Sequence, residues 1–355
     1  MRALMWCSAV ACAAACGPVP EPPSAMPWDG GDQPWSSSAW SWQPTSGPPD
    51  AGPGSSSSSS SRRSSSASAS ASASGPRVRA ETAVSPVSAD LHAVAALPDG
   101  TAWAVGAAGT LLRQDRGQWA AFPSPTGHTL WAVAAADDGT VLAAGDRGTL
   151  LRFNGVAFDA LATAASLPLN GAWVGNAHEA LVVGGQAGGA GVILRVDGEV
   201  VVDETPPNAP ALYGVARDRV LDLDVAVGEG GAVYTRAAGA WSLARVPDSG
   251  ALLRVAAAPG GAVALGIGGA LVQVTGPATV GSADGTPGAL GLTWWAGSQV
   301  LVVVGAGGRV RTGLPGGLAD VAVPTAVALW GAAPLGDGLT VVGERGTILR
   351  LRWEP

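Results

Sequence analysis

An all-β fold of seven like units, a seven-bladed β-propeller of four-stranded antiparallel blades, is predicted by three observations. A glycine-anchored phrase recurs along the chain. It reads TVLAAGDRGTLLR from Thr140, TAWAVGAAGTLLR from Thr101 and LTVVGERGTILR from Leu339, with weaker copies around Gly184, Gly228, Gly266 and Gly305. The anchor glycines Gly106, Gly145, Gly184, Gly228, Gly266, Gly305 and Gly343 stand 39, 39, 44, 38, 39 and 38 residues apart. Each period holds short apolar segments separated by turn signals. A period of about 40 residues built of strands and turns is the mark of a propeller, whose sectors bury a core only by stacking.

The second copy shows the elements in order. Leu130–Ala136 is an apolar strand, and Asp137-Asp138-Gly139 is a turn with Gly available for positive φ. Thr140–Ala144 is the second strand, followed by a tight turn over Gly145–Gly148. Thr149–Phe153 is the third, Asn154-Gly155 is a strong hairpin signal, and Val156–Leu161 is the fourth. The other copies keep the frame of the first strand: Leu91-His-Ala-Val, Leu212-Tyr-Gly-Val, Leu252-Leu-Arg-Val and Leu329-Trp-Gly-Ala. The last copy stops after its third strand at 350–355, while Val78–Val84 has no blade of its own. The N-terminal strand, about residues 77–86, is therefore expected to complete the last blade and to remove two open edges.

Ahead of the repeats, residues 1–16 read as an export signal. Arg2 supplies a positive end, and Ala3–Ala15 is apolar but too short to span a bilayer. All three cysteines, Cys7, Cys12 and Cys16, lie here, so the folded body is expected to hold no disulfide and no thiolate metal site. Ala13-Ala14-Ala15-Cys16 resembles a bacterial lipobox. Cys16 is the expected lipidation site, with Cys12 the alternative and a plain signal peptide the simpler reading. Gly17 and Pro18 carry no acidic retention signal, so an outer-membrane lipoprotein facing the periplasm or the cell surface is expected. Residues 17–76 are rich in Pro, Gly, Ser and Ala. Such a segment buries too little to offset its ordering entropy and reads as a disordered tether. Trp28, Trp35, Trp40 and Trp42 are unusual within it.

The repeat body resembles a known group. The string from Trp103 to Trp119, WAVGAAGTLLRQDRGQW, is similar to repeats of the photosystem II assembly and stability factor family and to Asp-box (bacterial neuraminidase repeat) propellers. The resemblance covers about residues 77–355 and implies the propeller fold, not an activity. Asp115, Gly117 and Trp119 fall one residue short of a full Asp-box and read as a hairpin turn.

Charge and residue content narrow the function. From residue 82 onward there are 15 Arg against 22 Asp and Glu, and Lys is absent. That balance repels phosphate backbones and argues against nucleic-acid binding. His92, His128 and His178 lie at non-equivalent positions, and no HExxH or paired-His pattern exists, so neither a metal nor another cofactor is expected. Asp99, Asp138 and Asp337 belong to Asp-Gly turns. Asp222 and Asp224 alternate on an expected strand and read as a solvated edge or, less favoured, a cation site. With two tyrosines, no GxSxG and no Arg-Ile-Pro signature, neither a sialidase nor a serine hydrolase is expected. The glycine-rich run Gly185–Gly191 reads as a hairpin connection and not a phosphate loop.

A loop face remains. In a four-stranded blade the second-to-third turns and the fourth-to-first connections share one side. Candidate binding residues on those turns are Asp146, Arg147, Glu229, Glu344 and Arg345. The connections include Pro123–Gly127, Thr205–Asn208 and Gly281–Thr286. Loops on a rigid scaffold are where recognition resides. The expectation is a monomeric, lipid-anchored binding or scaffolding module for an envelope protein or glycan. The competing readings are a glycan-active hydrolase or lyase on the same fold, and a purely structural envelope protein.

Overall fold

The computed structural model describes residues 77–354, apart from 238, 277, 278 and 283–285. The lipidation candidates Cys16 and Cys12, the tether and its tryptophans lie outside the described residues.

Seven four-stranded antiparallel sheets form the chain's blades. Blade one is β2 (Leu91–Ala96), β3 (Ala102–Gly106), β4 (Leu111–Asp115) and β5 (Gln118–Ala121). Blade two is β6 (Leu130–Ala135), β7 (Val141–Gly145), β8 (Leu150–Phe153) and β9 (Phe158–Ala160). Blade three is β10 (Leu169–Asn176), β11 (Glu179–Gly185), β12 (Gly191–Asp197) and β13 (Val200–Asp203). Blade four is β14 (Leu212–Asp218), β15 (Leu223–Gly228), β16 (Ala232–Arg236) and β17 (Ser242–Arg245). Blade five is β18 (Leu252–Ala258), β19 (Gly261–Gly266), β20 (Leu271–Val274) and β21 (Thr279–Ser282). Blade six is β22 (Ala289–Trp295), β23 (Val300–Gly305), β24 (Val310–Gly313) and β25 (Ala319–Asp320). Blade seven takes β26 (Leu329–Leu335), β27 (Gly338–Gly343) and β28 (Ile348–Glu354) from the C-terminal end of the chain, and β1 (Arg77–Thr82) from before blade one.

That last sheet is the expected closure. β1 runs antiparallel to β28, from Arg77 opposite Glu354 to Thr82 opposite Leu349. It is shorter than the expected 77–86. The Ala83 amide still bonds to the Ile348 carbonyl at 2.9 Å, but the chain must then cross toward blade one, and Pro86 has no N–H to extend a ladder.

The core lies between blades. Among the described residues, seven buried clusters fill the seven seams, each joining side chains of two neighbouring blades. One joins Val342 and Ile348 of blade seven to Leu91 and Leu112 of blade one, so the ring is closed by packing as well as by hydrogen bonds. The second strands are buried on both faces, as in Ala102–Gly106 and Val141–Gly145, and hence read as unbroken runs of small and apolar residues. At the seam of blades one and two, Trp103 is fully buried, with Phe122, Phe153 and Phe158 at ring distances of 4.9, 4.8 and 5.0 Å.

The anchor glycine owes its recurrence to close backbone approach. At Gly145 a Cβ would stand 2.1 Å from the Thr129 carbonyl oxygen, which accepts the next amide, that of Asp146, at 2.9 Å. At Gly266, in a copy whose phrase is weak, the corresponding carbonyl of Ala251 no longer presses on the anchor, and the nearest atom is the Ser249 carbonyl oxygen at 3.1 Å. The Asn154-Gly155 hairpin is wider than the sequence suggests. The Asn154 side-chain oxygen accepts both the Val156 and Ala157 amides at 2.9 Å, so the fourth strand starts at Phe158 and not at Val156. Arg116 and Gly117, with φ 48° and 83°, make the two-residue turn of the Asp-box remnant.

Candidate functional site

Every innermost strand breaks register with its neighbour at its second residue. The pairing skips from Leu91 to Ala93, Leu130 to Ala132, Leu169 to Gly171, Leu212 to Gly214, Leu252 to Arg254, Ala289 to Gly291 and Leu329 to Gly331. A bulge frees one residue from the ladder and re-aims its side chain. Five of those bulged residues, His92, Trp131, Asn170, Tyr213 and Trp330, line a cavity of about 160 Å3 into which the innermost strands converge. The site is the mouth of the central channel.

Its wall is an interlocked set of rings and bonds. His92 stacks on Trp131 at 4.4 Å, 22° from parallel, and meets Trp330 edge-on at 6.1 Å. The His92 Nδ1 lies 3.0 Å from the Leu130 carbonyl, which ties blade one to blade two. Loss of hydration in this place pulls the His92 pKa below its ordinary value, more strongly than that hydrogen bond and the carboxylates of Asp90 and Asp146 raise it. Asn170 donates to the carbonyls of Gly185 and Leu212, both at 2.9 Å, across blades three and four. Burial and the charge of Glu229 raise the Tyr213 pKa, so its phenol stays a neutral donor at neutral pH.

The five candidate residues stand in the turns around this mouth, in blades two, four and seven, and do not form one cluster. Each turn is a single 3-10 turn after the anchor glycine: Asp146–Gly148, Glu229–Gly231 and Glu344–Gly346. Asp146 accepts the Trp131 indole N–H at 2.7 Å and so fixes a wall residue. Glu229 accepts the Gly188 amide at 2.9 Å, which shows the Gly185–Gly191 run to be a hairpin connection docked on the next blade. Glu344 accepts the Ala328 amide at 3.4 Å. Arg147 and Arg345 take φ of 56° and 55°, which turns both side chains into solvent. Among the described residues neither guanidinium forms an ion pair. The fourth-to-first connections meet the same turns, as where Thr163 bonds to the Gly148 carbonyl at 3.0 Å, so the two sets of loops do share a face.

Asp222 and Asp224 do not alternate on one strand edge: Asp222 is exposed, whereas Asp224 is buried. Asp222 lies in the turn before β15, with φ 51°, and both carboxylates bond to Arg217. Asp224 is 1% exposed and also accepts Arg236 at 2.8 Å. Arg236 in turn pairs with Glu204 of blade three. The group is an ionic clasp between blades, legible only once Arg217 and Arg236 are placed beside it. A larger cleft of about 310 Å3 between blades five and six has no titratable side chain in its lining.

Sequence reasoning missed the bulged ring and one further wall residue, Arg254. The signal was present in the aligned first strands. The third position of that frame is Ala93, Ala132, Gly171, Gly214, Gly291 or Gly331 in the other blades, and Arg254 in blade five.

No protein-family model matches the chain, and no curated protein is similar to it in sequence. Solved structures are. The structure described as YCF48 bound to D1 peptide has a TM-score of 0.60 at 16% identity, over 78% of this chain and 96% of that one. Virginiamycin B lyase from Staphylococcus aureus has a TM-score of 0.67 at 13% identity, over 78% and 99%. The WD40 propeller domain of Doa1 has 0.63 at 11%, over 77% and 96%. At such identities the likeness is one of fold.

Proposed function

We propose that this chain is a non-enzymatic binding module whose loop face, centred on the channel mouth, holds a protein partner at the cell envelope. The observation that carries the reading is the bulged ring. Five residues at one register position, three of them Trp or Tyr, are turned out of their ladders toward one opening. Aromatic side chains with a polar tip bury area at little entropic cost and are enriched where proteins bind. Exposed Arg147 and Arg345 add unpaired cations at the rim. The peptide-bound propeller among the structural neighbours is compatible with this use of the fold. On this reading a lipid on Cys16, or on Cys12, anchors the chain in the outer membrane.

The test is site-directed photo-crosslinking in cells that express the full chain. A cross-linker at position 345 captures a polypeptide, and the Trp131→Ala variant no longer captures it. A cross-linker at Leu314, which is 60% exposed and lies beside the cleft of blades five and six, captures nothing. Capture at 314 alone, or capture unaffected by Trp131→Ala, would remove the channel mouth from consideration. Lipid-precursor labelling lost in Cys16→Ala, or failing that in Cys12→Ala, tests the anchor.

A further inference from the structure

We propose that the central channel is a carboxylate pocket, with the Arg254 guanidinium as its anion anchor. The proposal rests on the protein-binding reading for the origin of the carboxylate, which is an acidic group of a polypeptide.

Three observations converge. Arg254 is the one charged residue at a register position otherwise held by Ala or Gly, so the packing of the inner strands requires nothing of its size. In the blades on either side that position is crowded by backbone: a Cβ on Gly214 would stand 3.1 Å from the Arg254 Cα, and one on Gly291 2.4 Å from the Trp330 carbonyl oxygen. Arg254 instead lines the channel.

Second, Arg254 is half-buried in the channel wall and, among the described residues, has no partner of opposite charge. Its hydrogen bond is to the carbonyl of the preceding residue, Leu253, at 2.9 Å. Among the described residues it forms no salt bridge. Burial even lowers its pKa, although the open channel leaves part of the side chain wetted. An arginine has five N–H donors, and a half-buried cation without a counter-ion leaves most of them open to a ligand. Two arginines of blade four show the usual remedy, since Arg217 and Arg236 are both paired to Asp224.

Third, no Asp or Glu is among the residues lining the cavity, while the charge of Arg254 is felt at His92 on the other side of the ring. A cation without a counter-ion, lining a space with no internal anion, specifies an anionic acceptor. The volume sets its size. About 160 Å3 is small beside the roughly 300–1,000 Å3 of small-molecule sites, so the space takes an end group and not a whole ligand. A planar carboxylate matches the guanidinium fork in two parallel bonds.

The chain has three histidines, so the ring signals of His92 are assignable by NMR on the intact protein. His92 is faced by Asp90, Asp146 and Arg254. Acetate is titrated against acetamide, which has nearly the same shape and no charge. Acetate is expected to shift the His92 signals saturably and to raise the pH at which His92 titrates, because it neutralises Arg254. Acetamide is expected to do neither. Arg254→Ala, which restores the residue of blades one and two, weakens acetate at least about tenfold, and Arg254→Lys retains part of the affinity.

Arg254→Ala also melts no lower than the native chain, since it removes an unpaired half-buried charge. A purely structural arginine gives the opposite result. Equal responses to acetate and acetamide, native affinity in Arg254→Ala, or marked destabilisation of that variant overturns the proposal. The acetate and acetamide comparison needs no variant to fold. A peptide ending in a free carboxylate against its C-terminal amide, and against one whose acid is a side chain, distinguishes the two sources. Failure of the cross-linking at position 345 is a separate outcome: it removes the partner and leaves the acetate result standing.

Discussion

Blades two and seven carry nearly the same sequence and end in different states. Their turns read Asp146-Arg147-Gly148 and Glu344-Arg345-Gly346, and the central arginines share a φ within a degree of one another. Both innermost strands bulge at a tryptophan. Yet the Trp131 N–H is bonded to Asp146, whereas that of Trp330 is buried with no partner. One methylene separates the cases. The longer Glu344 side chain turns back to the Ala328 amide. Blade two also ends in its own fourth strand, while blade seven borrows β1. The repeat therefore dictates backbone, and single side-chain lengths decide which indole donors find a partner.

The largest break in this comparison comes from removing residues 77–82. Blade seven loses its outer strand and the cover that Val78 and Ala80 give the seam with blade six. A fall in Tm of at least about 10 °C, with loss of a single cooperative transition by circular dichroism, is expected. In blade two the corresponding element is held by Phe158, 3% exposed against Trp103. Phe158→Ala is expected to cost about 3–5 kcal/mol in denaturant unfolding while leaving blade seven intact.

Smaller changes exchange the two turns. Asp146→Ala strands the Trp131 N–H as Trp330's is stranded, at about 1–2 kcal/mol. Glu344→Asp puts a short carboxylate where blade two has one, and is expected to stabilise by about 1 kcal/mol. No gain in stability from Glu344→Asp would mean that side-chain length is not what separates the blades.

The smallest effect concerns His92, which touches both tryptophans. Its folded-state pKa lies below the unfolded value of 6.5. Between those two values the unfolded chain binds more protons, so stability is full above pH 6.5 and declines as the pH falls through that window. Stability followed against pH in the native protein and in His92→Gln tests this. The variant should show a shallower decline, and identical slopes would assign the effect elsewhere.

Much of this scaffold was legible because close backbone approach leaves glycine no substitute. The 39-residue steps from Gly106 to Gly184 predicted blades because the same carbonyl presses on each anchor. The closing strand was legible as an arithmetic gap, one strand missing at one end and one spare at the other. The five turn residues were placed on the right kind of turn, but what their carboxylates hold was not readable, since those bonds reach wall residues such as Trp131 or amides of another blade. The bulge left no trace in any single copy, because Leu-His-Ala and Leu-Trp-Gly look like ordinary strand starts. Asp222 and Asp224 misled because alternation was assumed across a turn residue with positive φ.

The borrowed strand has a mechanical consequence. Arg77 and Glu354 lie opposite each other at one end of the β1–β28 ladder. A pull applied at Arg77, directed outward from the sheet edge, loads the rungs one at a time, in unzipping and not in shear. Load entering from upstream of residue 77 thus meets a geometry of low force resistance. Tension there opens blade seven first, beside the tryptophan with the idle donor, while blades one to six stay sewn by consecutive chain.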